Sequence, residues 1–406
     1  MTSATLILKA VTPVAFRAGR DNDSASTLDY LPGGTLRGAL SAAHAVLRPA
    51  KKDEFAALFS AKGVRYGNGY PCTFEDDAES LRPVAVRPAP RTALTCKRCD
   101  GFRPAVENAP AEAPHGVRDG LRAMAAFVLS GEKNLEVLAP LQACGCQGCP
   151  SPLGPFVSFC RRSAAGIWQT PDVKRELRMR NGMSRRRGTT HEAILYSRAM
   201  LIAGTLFQVR MAGDTADLEN LAGFVPEASD AGLIRVGNNR TRGLGGLDLR
   251  SWFPDCVESD LLSRANAFDS SFRDGARASA DLRHAFYLPA TLESDVILKD
   301  ELFRYRGRLD HDWLQAETGI AGADLIFQAA AMRRVAGWNA LWGLPKTDDW
   351  AIAAGSVFLF GLPHAPDQTE LACLERLERE GTGARREEGF GRIRFADEFH
   401  LEVNGI

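Results

Sequence analysis

Apolar positions along the chain recur either at every second residue or with helical spacing, in two similar runs. Residues 4–11 have apolar character with a period of two, which is typical of a strand that opens a domain. The first run predicts a strand at 4–11, a helix from about 35 to 47, a short helix at 53–60, a strand through 64–66, a strand at 201–211, a short helix at 215–224 and a strand–loop–strand unit over 233–252.

The second run repeats this order. It predicts a strand-like region at 285–308, a helical region at 323–341, a strand at 356–360, a charged helix at 368–380 and a final strand at 392–395. Strands and helices that alternate through short loops are typical of α+β domains of the split βαβ type. We therefore predict two such domains, at residues 1–254 and 255–406.

Residues from about 70 to 166 have a different composition. Prolines, glycines and cysteines interrupt the segment, and a single helix is predicted near residues 117–129. Such a segment has few apolar positions from which to build a core. It is predicted to be an insertion in the first domain that a metal organises.

Composition narrows the classes of function. The chain has 406 residues, of which 45% are hydrophobic, and its formal net charge is zero. A neutral protein is not a general nucleic-acid coat, so any such surface must be a local patch. The start of the sequence lacks the regions of a signal peptide, and no apolar run is long enough to span a membrane. A cytoplasmic protein without membrane partners is expected.

Two glycine-rich segments align without a gap at a distance of 146 residues. They are GNNRTRGLGGL at 237–247 and GARREEGFGRI at 383–393. Both fit the pattern G-x-x-R-x-x-G-Φ-G-x-Φ, where Φ is apolar, and both follow a predicted helix and enter a strand. One glycine motif is weak evidence, but the same pattern twice in the same context indicates a duplicated domain.

The residue types in these segments suit the binding of a nucleic-acid backbone. Glycines allow positive φ and a close approach of backbone amides, which together form an anion-binding concavity. Arginine adds charge and a planar face for a base. The alternative is a tight turn with a solvated arginine. The candidate residues are Gly237, Arg240, Arg242, Gly243 and Gly245 in the first segment and Gly383, Arg385, Arg386, Gly389 and Gly391 in the second.

The doubled segment resembles the glycine-rich loop of RAMP proteins, the RNA-binding family of CRISPR effector complexes. The sequence LPGGTLRGAL at 31–40 resembles their N-terminal signature, and RVAGWN at 334–339, GLPK at 343–346 and AGSVF at 354–358 resemble the type III-D family Csx ten. The cysteine-bearing insertion fits the same family. This similarity is by motif, and the motifs are spread over most of the chain.

The resemblance implies two ferredoxin-like (RRM-like) domains and a non-catalytic subunit of a type III effector complex. Such a subunit would grip the 5′ repeat-derived handle of the guide crRNA and would contact the large polymerase-type subunit and the backbone RAMP subunits. By the same argument, Gly33 and Gly34 at a helix start would offer amides to a phosphate, with Arg37 nearby.

Cysteine spacing predicts a metal site. Seven of nine cysteines fall between Cys72 and Cys160, and two C-x-x-C pairs among them can form the tetrahedral site of structural zinc. The expected ligands are Cys96, Cys99, Cys146 and Cys149. His115 is an alternative to one thiolate, and Cys144 is an alternative to Cys146. The other explanation is reduced core cysteines, which Cys72 and Cys160 are expected to be.

Residues 161–187 hold nine Lys or Arg against two acidic residues, and they end in Arg185, Arg186 and Arg187. This local excess predicts RNA contact, because a solvated charged face normally mixes the two signs more evenly.

Catalytic residues are not evident. His191 after the basic run is the best candidate for an acid or base, while His44 on the first helix is expected to be packed. The aspartates at Asp21, Asp23 and Asp29 suit turns. An endoribonuclease that processes guide RNA or cleaves target RNA is the alternative function, and a purely architectural subunit is a third.

Overall fold

A computed structural model describes residues 2–17, 26–73, 86–103, 113–163, 165–183, 190–255, 260–276, 281–339 and 343–403. The candidate residues Asp21, Asp23, Arg185, Arg186 and Arg187 lie outside these ranges.

The strands of the described ranges are β1 (Thr2–Ala10), β2 (Arg65–Cys72), β3 (Val86–Pro88), β4 (Ala93–Cys96), β5 (Val117–Asp119), β6 (Leu153–Pro155), β7 (Phe159–Arg162), β8 (Trp168–Gln169), β9 (Arg175–Met183), β10 (Thr190–Leu201), β11 (Leu206–Gly213), β12 (Leu247–Asp255), β13 (Phe286–Leu292), β14 (Asp324–Ala329), β15 (Met332–Val335), β16 (Trp338–Asn339), β17 (Leu344–Pro345), β18 (Asp349–Ile352), β19 (Val357–Leu362) and β20 (Ile393–Phe395).

The helices of the same ranges are α1 (Gly33–Leu47), α2 (Lys52–Phe59), α3 (Leu121–Leu129), α4 (Thr215–Asp230), α5 (Leu261–Ala276), α6 (His311–Thr318), α7 (Gln368–Glu380) and α8 (Phe399–Glu402). Turns of 3-10 helix cover Leu135–Leu141, Cys146–Gly148, Arg240–Arg242 and Arg386–Glu388. None of the helices in the described part of the chain has the length and apolar character needed to cross a membrane.

The first sheet has the strand order β12-β1-β11-β2, and all its neighbours are antiparallel. The chain passes from β1 through α1 and α2 to β2, and later from β11 through α4 to β12. We call this set unit 1. The predicted alternation in β1 is confirmed, because Leu6 and Leu8 lie in the core with α1 and α4 while Ile7 packs in a separate cluster with Tyr70.

The second sheet repeats the arrangement in the order β14-β19-β13-β20, again antiparallel. The chain passes from β13 through α6 to β14, and from β19 through α7 to β20. We call this set unit 2. Every residue of β13 and β19 is buried. Since successive side chains of a strand point to opposite faces, both faces of this sheet are covered.

The prediction of a helix over residues 323–341 is wrong. This segment contains β14, β15 and β16, and the helix of this part of the chain is α6. Asp310 caps α6 by accepting a hydrogen bond from the amide of Trp313 at 3.1 Å, and Gly319 ends it at a φ of 85°. A short apolar run such as that of β14 fits either structure, and its pairing with β19 decides between them.

The segment between β2 and β11 is continuous in sequence with unit 1, but it packs extensively on unit 2. Leu121 and Ala125 of α3 lie in the same apolar core as Phe268 of α5. A buried hydrogen bond joins the segment to α8, with 2.8 Å between His400 Nδ1 and Asp119 Oδ2. The sequence predicts that a metal, and not an apolar core, organises this segment. The prediction is only partly right, because an apolar cluster around Phe156, Cys160, Trp168 and Phe399 also supports the segment.

Candidate functional site

The two glycine segments have the same backbone geometry. We call residues 237–247 loop 1 and residues 383–393 loop 2. Each begins with a glycine of positive φ, continues through a left-handed residue and a 3-10 turn, and then has two further glycines of positive φ. The left-handed residues are Asn239 at a φ of 60° and Arg385 at 59°. The repeat that the sequence predicts is thus present in the backbone.

The hydrogen bonds that anchor the two loops to the rest of the chain also match. In loop 1 the amide of Asn238 donates to Ala15 O at 3.0 Å and that of Gly245 donates to Pro13 O at 3.1 Å. In loop 2 the amides of Ala384 and Gly391 donate in the same way to Ile297 O at 2.9 Å and Asp295 O at 2.8 Å.

Two other amides of loop 1 donate within the loop itself. The amide of Arg242 donates to Asn239 O at 2.9 Å, and that of Gly243 donates to Arg240 O at 3.4 Å. The sequence predicts amides that are open to an anion. These two amides and that of Gly245 instead donate to carbonyl groups of the chain. What loop 1 presents outward is side chains.

Loop 1 is exposed at its turn. Arg240, Thr241, Arg242 and Gly243 are all exposed. A methyl group added at Gly243 would meet no heavy atom of the described residues within 4 Å, so there is open space at this position of the loop. The base of the loop is close-packed, because a Cβ at Gly237 or Gly245 would collide with a backbone carbonyl.

Loop 2 is docked on unit 1. A Cβ at Gly389 would lie 2.7 Å from Asn68 Oδ1 and 3.0 Å from the carbonyl oxygen of Tyr66 in β2. The Glu388 side chain lies against the start of α1, where a Cβ on Gly34 would be 3.0 Å from Glu388 Oε2. A carboxylate is favourable at the positive end of the helix dipole.

The start of α1 is therefore engaged within the chain. The amide of Gly33 donates to Asn68 Oδ1 at 3.0 Å, and the guanidinium of Arg37 donates to the carbonyl of Phe59. A phosphate at Gly33 and Gly34 would have to displace Glu388. Gly33, Gly34 and Arg37 therefore have neighbours within the chain, and their contact with RNA stays a prediction.

Ion pairs fix loop 2 in place. Arg385 Nη2 lies 2.7 Å from Glu388 Oε2, and Arg385 Nη1 lies 3.1 Å from Asp349 Oδ2. Lys346 Nζ lies 2.6 Å from the other oxygen of Glu388. Burial raises the pKa of Glu388, but the charges of Arg385 and Lys346 outweigh burial and hold that pKa below its usual range. Loop 2 joins the two units, whereas its copy in unit 1 faces outward.

The basic run predicted at 161–187 covers β7 to β9. The hairpin of β9 and β10 carries exposed Leu177 and Met179, and Arg175 Nε donates to Asp29 Oδ1 at 2.7 Å. His191 belongs to β10. Part of the basic run is thus paired with acid, and the part at 185–187 stays a prediction.

Cysteines and one histidine converge between β4, β5 and the turn before β6. The ligand atoms of Cys96, His115, Cys144 and Cys149 all lie within 4.8 Å of one another. Cys96 Sγ is 4.0 Å from Cys149 Sγ, and His115 Nδ1 is 3.2 Å from Cys144 Sγ. Thiolates of a tetrahedral zinc site are about 3.8 Å apart, given Zn–S bonds of about 2.3 Å. These four residues could therefore hold a zinc ion.

This set differs from the one expected from the C-x-x-C pairs. His115 and Cys144, the two alternatives, stand in the places assigned to Cys99 and Cys146. Cys146 Sγ instead accepts from Arg118 Nη2 at 3.4 Å, and Cys99 is buried beside the group. Burial raises the pKa of Cys96, but amides of Cys99 and Arg98 that donate to its sulfur lower that pKa to about 6. A thiol that ionises easily is a good metal ligand.

Cys72 and Cys160 are buried, as expected for core cysteines. Burial raises the pKa of each thiol to about 12, which disfavours the thiolate. Both are unreactive packing residues.

Some exposed groups were missed by the sequence analysis. Trp338 and Trp350 are 58% and 48% exposed, and Phe303 is 81% exposed at a φ of 59°. Lys62 and Arg65 lie beside loop 2 in a polar pocket. The positive φ of Phe303 belongs to a local turn, in which Asp300 Oδ1 accepts from the amides of Leu302 and Arg304. The meeting of β2 with loop 2 arises from tertiary structure and has no local sequence signal.

No protein-family model and no curated protein matches this sequence. Among solved structures, the chain is similar to a chain of the type III-B Cmr-beta complex bound to cognate target RNA, with a TM-score of 0.40, 11% identity and coverage of 97% of this chain and 99% of that chain. A second similarity is to a chain of the type III-B Cmr-beta complex bound to cognate target RNA and AMPPnP, with a TM-score of 0.38, 12% identity and coverage of 88% and 86%. TM-scores at this level do not establish a shared fold.

Proposed function

We propose that the chain is a non-catalytic RNA-binding subunit of a type III CRISPR effector complex. In this proposal, each unit is a ferredoxin-like domain of the RAMP class and loop 1 grips the guide crRNA. The observation that carries the proposal is the contrast between two loops of equal backbone geometry. Loop 2 is docked within the chain, while loop 1 is exposed with Arg240 and Arg242 at its turn.

The strand order supports the fold assignment. In each unit, strands numbered by their order in the chain lie in the sheet as 4-1-3-2, and a helix connects the first to the second and the third to the fourth. This antiparallel arrangement is the one that the split βαβ pattern implies. The long connection between the second and third strands carries the zinc-type cluster in unit 1.

Exposed side chains support the proposed contacts with RNA and with protein subunits. Single-stranded RNA is bound by planar cationic or aromatic side chains on which bases stack, and this needs no long basic surface. Arg240 supplies such a plane in a protein of zero net charge. Leu302 and Phe303, which are 70% and 81% exposed, suit contact with partner subunits, for which we propose the polymerase-type and backbone RAMP proteins.

Three of the seven histidines have partners that indicate structural roles, which supports the non-catalytic assignment. His44 is buried with its Nε2 3.0 Å from Glu54 Oε1, and His400 is buried against Asp119. His115 belongs to the cysteine cluster. His191 remains the residue to test for the alternative, an endoribonuclease.

We expect Arg240→Ala to weaken binding of the full chain to a labelled CRISPR-repeat RNA by about 1 to 3 kcal/mol, because a stacked base loses its partner. Affinity of the unsubstituted chain should fall with salt at a log–log slope of about −0.7 per phosphate contacted. Electrophoretic mobility shift across a salt series measures both. Arg308→Ala, which removes a side chain that is 61% exposed in unit 2, is the charge-matched control.

Because the proposed subunit is non-catalytic, the RNA should remain full length in the binding reactions. RNA shortening that is lost in His191→Ala would instead establish the nuclease. Equal affinity of Arg240→Ala and Arg308→Ala would remove loop 1 from the interface, and a lack of salt-sensitive binding would favour the architectural role.

A further inference from the structure

A polar pocket of about 290 Å³ lies between unit 1 and unit 2. Its lining includes Lys62, Arg65, Arg385 and Arg386, against the single acid Glu387. Lys62 and Arg65 come from the turn after α2 and the first position of β2, and the other three come from loop 2. Two segments more than half the chain apart therefore bring four cations to one cavity.

The four cations are not equally neutralised. Arg385 is bound to Asp349 and Glu388, so its charge is satisfied within the chain. Arg65 Nη1 donates to the carbonyl of Glu380 at 2.8 Å, and Arg386 Nη1 is 3.4 Å from the carbonyl of Gly381. These carbonyls at the end of α7 orient the two guanidinium groups without removing net charge, and of the two groups Arg65 is partly neutralised by the Glu380 carboxylate.

Like charges remain close together in this pocket. Burial, and next the charge of Arg386, lower the pKa of Arg65, although Glu380 opposes this with its carboxylate 3.4 Å from Arg65 Nη2. Holding two guanidinium groups together in a partly buried place costs free energy that a bound anion would recover. Guanidinium pairs also match the oxygens of a phosphate in geometry.

We propose that this pocket binds a phosphate group, with Lys62, Arg65 and Arg386 as its ligands. The volume is just below the range for small-molecule pockets, about 300 to 1,000 Å³, so a phosphate with little attached to it fits best. The phosphate can come from a nucleic-acid strand or from a small free phosphate. The inference extends the proposed function to a second site and does not rest on RNA binding by loop 1.

Because the ligands come from both units, the bound anion also stabilises their contact. Inorganic phosphate should therefore raise the melting temperature of the full chain in a saturable way, beyond the effect of sodium chloride at equal ionic strength. Isothermal titration with inorganic phosphate should give a dissociation constant that rises at least tenfold in Arg386→Ala and in Lys62→Ala.

Two variants control for charge and for folding. Lys52→Ala removes an exposed lysine at the start of α2, outside the pocket lining, and should bind phosphate as the unsubstituted chain does. Arg386→Lys keeps the charge and should lose less affinity than Arg386→Ala. A melting temperature that chloride raises equally, or unchanged phosphate affinity in the double variant Lys62→Ala/Arg386→Ala, would overturn the proposal.

Competition with RNA identifies the source of the phosphate. A 5′-phosphorylated oligoribonucleotide that displaces inorganic phosphate, where its 5′-hydroxyl counterpart does not, would support a terminal phosphate as the ligand. Equal displacement by both would support an internal phosphodiester. Arg240→Ala separates this site from the proposed function, since it should weaken RNA binding and leave inorganic phosphate binding intact.

Discussion

Cys96→Ser is expected to reduce the zinc content of the purified chain from about one equivalent to near zero. Cys96 is buried with its sulfur 4.0 Å from Cys149 Sγ, and serine cannot supply the thiolate that zinc prefers. Structural zinc contributes about 10 to 16 kcal/mol to the folding of small peptides. The apolar cluster around Phe156 and Trp168 supplies part of the folding energy here, so we expect a smaller loss, of a few kcal/mol.

Elemental analysis and thermal unfolding, each before and after treatment with a chelator, measure this effect. The chelator should lower the melting temperature of the unsubstituted chain and leave that of Cys96→Ser unchanged. Cys373→Ser, at a half-buried free thiol of α7, is the matched control and should keep its zinc.

Two further variants distinguish the possible ligand sets. Cys146→Ser should retain zinc, because Cys146 is held by Arg118 and is not among the four converging groups, whereas Cys144→Ser should lose it. The opposite result, with His115→Ala retaining zinc, would favour the four cysteines of the C-x-x-C pairs. Less than half an equivalent of zinc in the unsubstituted chain would refute the metal site itself.

The metal cluster shows how far spacing alone can predict a site. Two C-x-x-C pairs indicate a metal because each pair can present two thiolates to one ion. The sequence could not say which of five neighbouring cysteines face inward, because this depends on the turn at Cys146–Gly148 and on Arg118 of β5. His115 is separated from both pairs in sequence, and only the pairing of β4 with β5 brings it close.

Local signals predicted local structure well. The helix expected at 368–380 is α7 with the same bounds, and its capping box joins Asp367 and Glu370. The loop repeat is confirmed as well, because positive φ at its glycines is a property of the segment itself. The helix predicted at residues 323–341 is wrong because its structure is not set locally. An apolar run there suits either a helix or a strand, and its pairing with β19, which lies elsewhere in the sequence, makes it a strand.

Long-range packing left no signal in the sequence. Helix α3 belongs to an insertion in unit 1 by its position, but its apolar face lies in the core of unit 2. The docking of loop 2 on α1 and β2 is similar, since Glu388 and Gly34 are distant in sequence. The repeat predicted equal roles for the two loops, whereas the fold places one inside the chain and leaves the other exposed.

This difference between equivalent loops predicts unequal effects of the same substitution. Gly389→Ala is expected to destabilise the chain more than Gly243→Ala, although both glycines have positive φ, 96° and 81°. Each alanine incurs the backbone cost of that conformation, about 1 to 2 kcal/mol. At Gly389 the added methyl group would also lie 2.7 Å from Asn68 Oδ1 and 3.1 Å from the Asn68 amide nitrogen, which adds about 1 to 3 kcal/mol of overpacking.

Urea unfolding of the two variants, followed by tryptophan fluorescence, measures the difference directly. Because the backbone cost is shared, the difference in unfolding free energy isolates the contact between the units. Equal destabilisation would mean that loop 2 does not hold unit 2 on unit 1. If the turn of loop 1 must keep its shape to bind RNA, Gly243→Ala should also weaken RNA binding. The two results together would distinguish loop 2, which joins the units, from loop 1, which is available to a ligand.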